Sequence, residues 1–252
     1  MVNANLFLII TGLSILWVIA IPIPKSMLDF LLVFNLTLSL LVVLLSIFLT
    51  RATDFLVFPV LLLLLTIFRL ALNIASTRMI LLETRAPDVI LALGQLMSRN
   101  NLLIGLILFL ALMVGQHVVV VNGCQRIAEV KARFALDNLP GRMMAIDSGQ
   151  SSDKGNKEES RQHLQREVDF YSSMDGAAKY IKGDATVGFI SVSVNLIGGI
   201  FVGVALQRMT MLDAINRYAV LAIGDGLMTR ISALLLMVAS GLLSSRVRNA
   251  AE

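Results

Sequence analysis

Four stretches of this 252-residue chain carry no charged side chain and are each long enough to cross a lipid bilayer as a helix: residues 1–24, 30–50, 100–125 and 185–207. A helix rises about 1.5 Å per residue, so a hydrocarbon core of about 30 Å needs roughly 20 apolar residues. No water reaches that depth, and a segment that must satisfy its own backbone hydrogen bonds does so as a helix. One such run could be a buried helix of a soluble protein. Four in one chain specify an all-α polytopic membrane protein. Charged residues make up 15% of the chain, against about 25% in an ordinary soluble domain.

Two shorter runs, residues 55–68 and 231–245, are bounded by Arg69 and Arg230. They reach spanning length if an arginine sits at an interface or faces protein instead of lipid. The sequence therefore predicts six spans, at about 4–22, 29–50, 55–77, 101–121, 185–207 and 228–245. The first span is not expected to be a signal peptide, because it lacks a basic leading region and a small-residue cleavage site. Pro22 and Pro24 follow it and read as a tight turn.

Residues 122–184 differ from the rest. They hold ten basic and ten acidic residues, enough chain for a small charged domain between four preceding spans (1–121) and two following ones (185–252). Ser148 to Ser160 reads as a flexible loop within it. With six spans, this segment and both termini lie on one side of the membrane. That side collects thirteen of the 21 Lys and Arg, counting Arg51, Arg246 and Arg248 with the loop. The positive-inside rule makes it the cytoplasmic side. The turn at Pro22–Pro24 then faces the periplasm.

Ionisable groups inside membrane spans are costly and mark functional sites by default. Residues 68–88 (FRLALNIASTRMILLETRAPD) concentrate them. Arg69 and Arg78 are nine apart and project in opposed directions on one helix, with Asn73, Ser76 and Thr77 between them. Such a stripe must face other helices, a water-filled cavity or a partner, although Arg85 alone reads as an interfacial anchor. In residues 174–189, Asp184 is the last charge before a firm span, with Lys179 and Lys182 upstream. It is either a proton-binding carboxylate or a helix-capping acid favoured by the helix dipole. Asp225, between Gly224 and Gly226, is placed similarly before the sixth span. Residues 126–147 alternate charges along an amphipathic helix that ends near Pro140-Gly141, where Arg126, Glu129 and Arg133 can share a face. Gly199 and Gly203 have the small-xxx-small spacing of close helix packing.

Other chemistry has little support. Cys124, His117 and His163 offer no metal-ligand spacing and no disulfide framework. No nucleophile–base set, phosphate loop or zinc motif is present, so neither a cofactor nor an enzymatic role is expected. The same composition would permit a small-solute or ion transporter, but that class predicts discontinuous mid-membrane helices and often an internal repeat, and the sequence shows neither.

The segments FPVLLLLLTIFRLALNIASTRMIL, RIAEVKARFALDNLPGRMMAID, DFYSSMDGAAKYIKGDA and IGDGL, in this order, resemble the flagella/hypersensitive-response/invasion protein export pore family. The resemblance covers about residues 22–248. It implies a bacterial inner-membrane export-gate component of a flagellar or injectisome type III secretion system, with no nucleic-acid partner. Such a component forms a homo-oligomeric ring with other gate subunits and passes unfolded substrates, using the proton-motive force. By motif it implies coupling roles for Arg126, Arg133, Asp137, Asp175, Lys179, Asp184 and Asp225, with Lys182 beside them. Asp184 leads. Two departures stand out, because Arg230 and Ser232 occupy places where the family pattern has glutamine and proline. The family pattern also runs on into a large cytoplasmic docking domain, so this chain is expected to be a truncated copy or a fragment, unable by itself to support export.

Overall fold

The computed structural model describes residues 22–49, 55–82, 86–98, 101–148 and 154–245, which are helical with no strand among them. The helices are α1 (Lys25–Phe48), α2 (Phe58–Leu82), α3 (Asp88–Ser98), α4 (Leu102–Gly115), α5 (Asn122–Asp137), α6 (Leu139–Ser148), α7 (Lys154–Ser193), α8 (Gly199–Ala205) and α9 (Met211–Ser245). Wide π-helical turns, Gln116–Val121 and Val194–Gly198, join α4 to α5 and α7 to α8 without a break.

Five helical paths among the described residues are long and apolar enough to cross a membrane: Lys25–Phe48, Phe58–Leu82, Leu102–Ser148, Lys157–Ala205 and Met211–Ser245. They take in the second to sixth expected spans. The expected span at 4–22 lies, but for Pro22, outside the described residues, as do Arg51, Arg85, Arg246, Arg248 and residues 149–153 of the expected serine-rich loop; from Lys154 on that stretch is not a loop but the start of α7.

The burial pattern is inverted relative to a soluble bundle. On α1 the buried positions are Leu28, Leu32, Asn35, Ser39, Val42 and Ser46, a seam at alternating four- and three-residue steps that is half polar. Phe30 and Phe48 on the opposite side are 66% and 81% exposed. In lipid, outward apolar groups carry no penalty, and helices associate through small and polar groups that pack closely. Asn35 Nδ2 donates to Ser232 Oγ across this seam at 3.2 Å.

α9 is the axis. It packs against α1 to α5, α7 and α8, and it is buried on all sides through its middle. Contacts fix the directions. Leu28 and Leu32 share a cluster with Met228 while Val42 shares one with Leu236, and Gln116 meets Arg230 while Cys124 lies by Gly241, so α1, α4–α5 and α9 run parallel. Arg69 meets Asp184 and Asn73 meets Ser191, so α2 and α7 run parallel to each other. Asn195 bonds Asp225 while Asp184 lies nearer Arg230, which makes α7 antiparallel to α9. The five paths thus alternate in direction, as successive crossings must.

Two features depart from expectation. The eleven-residue α3 was not foreseen. It is apolar but too short to span, and lies backbone-to-backbone against α9, where a Cβ on Gly224 would come within 1.9 Å of the Ile90 carbonyl oxygen. Lys25 Nζ to Asp88 at 2.6 Å, and Val89 N–H to Asp29 at 3.1 Å, hold its start against α1. The second departure concerns the charged segment. Residues 122 and 184 mark changes in polarity but interrupt no helix: α5 continues α4, and α7 runs 40 residues from the polar region into the apolar one. The segment forms a helical extension of two spans, with Ala128 and Ala132 buried where α5 meets α7. Only a turn at Asn138, before Pro140, breaks its first arm.

Candidate functional site

α2, α7 and α9 bring their polar residues together at two adjoining levels. The spacing in α2 arranges its share: Arg69, Asn73 and Ser76 recur at four and three residues and so occupy one face. In α7 and the turn after it, Asp184, Ser191 and Asn195 recur at seven and four. Apolar neighbours keep these groups from lipid.

The first level is an ion pair between Arg69 Nη2 and Asp184 Oδ2, whose side chains are 2% and 5% exposed. Asp184 is not a helix cap, because α7 begins thirty residues earlier. The cation facing it is Arg69 and not Lys179, which bonds Asp175 at 2.7 Å on the exposed side of the helix. Arg69 Nε and Nη1 find no further hydrogen-bond partner among the described residues. Arg230, 6% exposed, lies within electrostatic reach of both Asp184 and Arg69. One carboxylate therefore serves two guanidinium groups.

The second level surrounds Asp225, which is also mid-helix and not at a span boundary. Its oxygens accept from Ser76 Oγ at 2.5 Å and Asn195 Nδ2 at 2.8 Å, both neutral donors. Ser191 Oγ donates to Asn73 Oδ1 at 2.8 Å and lies 3.0 Å from Thr77 Oγ1. A hydroxyl has a single proton to give, so Thr77 is the donor in that contact. The network joins α2 to both long partners through side chains only.

Both π turns adjoin this centre. Gln116, in the first, donates to the Arg230 carbonyl at 3.0 Å; Asn195, in the second, holds Asp225. Inserted turns of this kind widen a helix and are common at functional sites.

The other expected residues lie elsewhere. Arg78 is exposed, on the side of α2 away from Arg69, as a nine-residue separation requires. Arg126, Arg133 and Asp137 are exposed on α5, with Arg133 3.6 Å from Glu129. Asp175 and Lys179 pair with each other, and Lys182 is half-buried on α7. None of these makes contact with the Arg69–Asp184 pair. Ser191 and Asn195 were not picked out from the sequence, although their spacing from Asp184 was a usable signal. Arg230 was noted there as the arginine bounding the last apolar run and as a departure from the family pattern.

Known proteins are similar to this sequence. The FHIPEP family pattern matches residues 15–252. The flagellar biosynthesis protein FlhA of Helicobacter pylori is 42% identical, covering 97% of this chain and 34% of its own length. The invasion protein InvA of Salmonella typhimurium is 40% identical over 96% of the chain and 36% of its own length. For the low calcium response locus protein D of Yersinia pestis the figures are 35%, 96% and 35%. The chain spans about a third of the length of these curated relatives. No solved structure matches it. With the pattern running through all five described helical paths and both levels of the polar centre, the chain belongs to the FHIPEP family.

Proposed function

We propose that this chain is a membrane segment of a type III protein-export gate in a bacterial inner membrane, and that protonation of Asp184 drives its conformational cycle. The observation that carries the reading is the buried Arg69–Asp184 pair, set in a family of flagellar and invasion proteins. In low dielectric an ion pair is stable only while both partners are charged, and removing one charge is strongly unfavourable. Protonating Asp184 leaves Arg69 and Arg230 facing each other without a counter-charge. The favourable response is to separate α2, α7 and α9 and admit water. About thirty residues of continuous helix, roughly 45 Å at 1.5 Å per residue, connect Asp184 to the polar start of α7. A tilt at the pair is therefore delivered to the helical extension, where Arg126, Arg133, Asp137, Asp175, Lys179 and Lys182 form the charged surface that meets partners.

In this reading residues 4–22 supply a sixth span, and residues 122–184 and both termini face the cytoplasm. The chain assembles as a ring with other gate subunits, passes unfolded protein and performs no catalysis. Flagellar and injectisome membership both fit.

The test is a neutral pair. Arg69→Gln with Asp184→Asn, placed in a full-length relative carrying this segment, keeps a hydrogen-bonded contact and removes both charges. Adding Arg230→Gln removes the second guanidinium that the carboxylate serves, so no charge is stranded, and membrane abundance should be unchanged while secretion is lost. Normal secretion by that variant would remove Asp184 as the proton-responsive group.

A further inference from the structure

We propose that Arg230 anchors a binding site for a weakly hydrated monovalent anion, of the halide type, in a cavity between α4, α7 and α9. The cavity has a volume of about 240 Å³. It is open on one side: Met113 and Ala185 form its buried apolar floor, Val118 and Phe189, each more than half exposed, its apolar flanks, and His117 and Thr186 contribute polar edges. Arg230 enters from α9 and is 6% exposed, and its Nη2 has no hydrogen-bond partner among the described residues. A buried guanidinium donor without a partner is costly. Its position is well defined: Gln116 holds the Arg230 carbonyl at 3.0 Å, and the guanidinium lies against α7 at Gly188, where a Cβ would stand 3.8 Å from Nη2.

The charge count sets the valence. Around Arg230 the ionised groups are Arg69 and Asp184, two cations to one anion counting Arg230 itself, because arginine stays protonated. The Asp184 carboxylate, in direct contact with Arg69, is shared between the two guanidinium groups, and the Asp225 carboxylate, held by Ser76 and Asn195, is not among the charges that act on Arg230. One negative charge is missing. The walls set the hydration class. Apolar side chains cannot replace the water shell of sulfate or phosphate, whereas chloride or bromide gives up less on entering and needs few donors. Arg230 Nη2 supplies the charge-assisted donor, with His117 and the Thr186 hydroxyl at the rim. This site depends on the cavity and on Arg230, not on the export reading.

The test titrates sodium bromide against the purified full chain in lipid-free detergent, with sodium sulfate holding ionic strength constant, while thermal unfolding is followed. A ligand that binds only the folded state raises Tm in a saturable manner. The expected result is a saturating rise of a few degrees, abolished in Arg230→Gln. Because the detergent is free of lipid, that response belongs to the free ion and not to a headgroup. Arg230→Lys keeps the charge without the planar fork and should shift the bromide midpoint about tenfold higher; it decides the matter if Arg230→Gln does not unfold cooperatively. A Tm independent of bromide, a rise that never saturates, or midpoints unchanged by both substitutions would overturn the site.

Discussion

Charged residues occur in this chain in two settings. In the helical extension, Arg161 lies 2.5 Å from Asp147, Arg142 3.1 Å from Glu167 and Lys179 2.7 Å from Asp175. Most of these side chains are a third or more in contact with solvent. In the membrane centre, Arg69 and Asp184 are both almost wholly enclosed. The extension has more ion pairs, yet the centre has the one whose two members are both buried. An exposed pair exchanges good hydration for a screened attraction and gains little. A buried pair cannot lose one member without stranding the other. Charge density in a sequence therefore marks where the chain meets water, and isolated charge in an apolar run marks where it is vulnerable.

The largest effect that would break this contrast comes from a single substitution at the centre. Asp184→Asn leaves Arg69 buried and uncompensated, and should cost about 3–5 kcal/mol of stability, measured by unfolding in detergent. A cost below about 1 kcal/mol would mean that water reaches the pair and that the two settings do not differ. At the other extreme, Glu129→Ala removes the partner 3.6 Å from Arg133 on an exposed face of α5. The same unfolding measurement should show a loss of only about 0.3–0.5 kcal/mol. A cost of several kcal/mol would show that the extension is enclosed by a partner and is not a solvated surface.

Much of the architecture could be read in the residues. Five of the charge-free runs fall in the five described helical paths that are long and apolar enough to cross a membrane, because transfer of a long apolar segment into lipid outweighs local propensity. The nine-residue step from Arg69 to Arg78 gave their opposed directions. Gly199 and Gly203 marked a close contact, and Tyr218 fills it: a Cβ on Gly199 would lie 2.2 Å from the tyrosine ring. What escaped has physical reasons too. Polarity changes at residue 184, but a helix does not end where its surroundings change, so of the two readings of Asp184 the capping one fails: it is an interior residue of α7. α3 was missed because eleven apolar residues fall short of a span and gain their place only by packing on α9. The Arg230 site required knowing that α4, α7 and α9 converge, which no spacing within one segment reveals. The π turns left no recognisable trace, since they register only as one extra residue in a continuous helix.

The central claim is that the Arg69–Asp184 pair works through a carboxylate on α7, beyond holding two helices together. Exchanging the partners separates those roles most directly: Arg69→Asp with Asp184→Arg, in a full-length relative carrying this segment, restores the attraction but moves the protonatable group to α2. Membrane abundance and secreted substrate would be measured together against the unaltered protein. The account predicts near-normal abundance of the swapped variant with no secretion. Secretion restored alongside abundance would contradict it and leave the pair a structural tie.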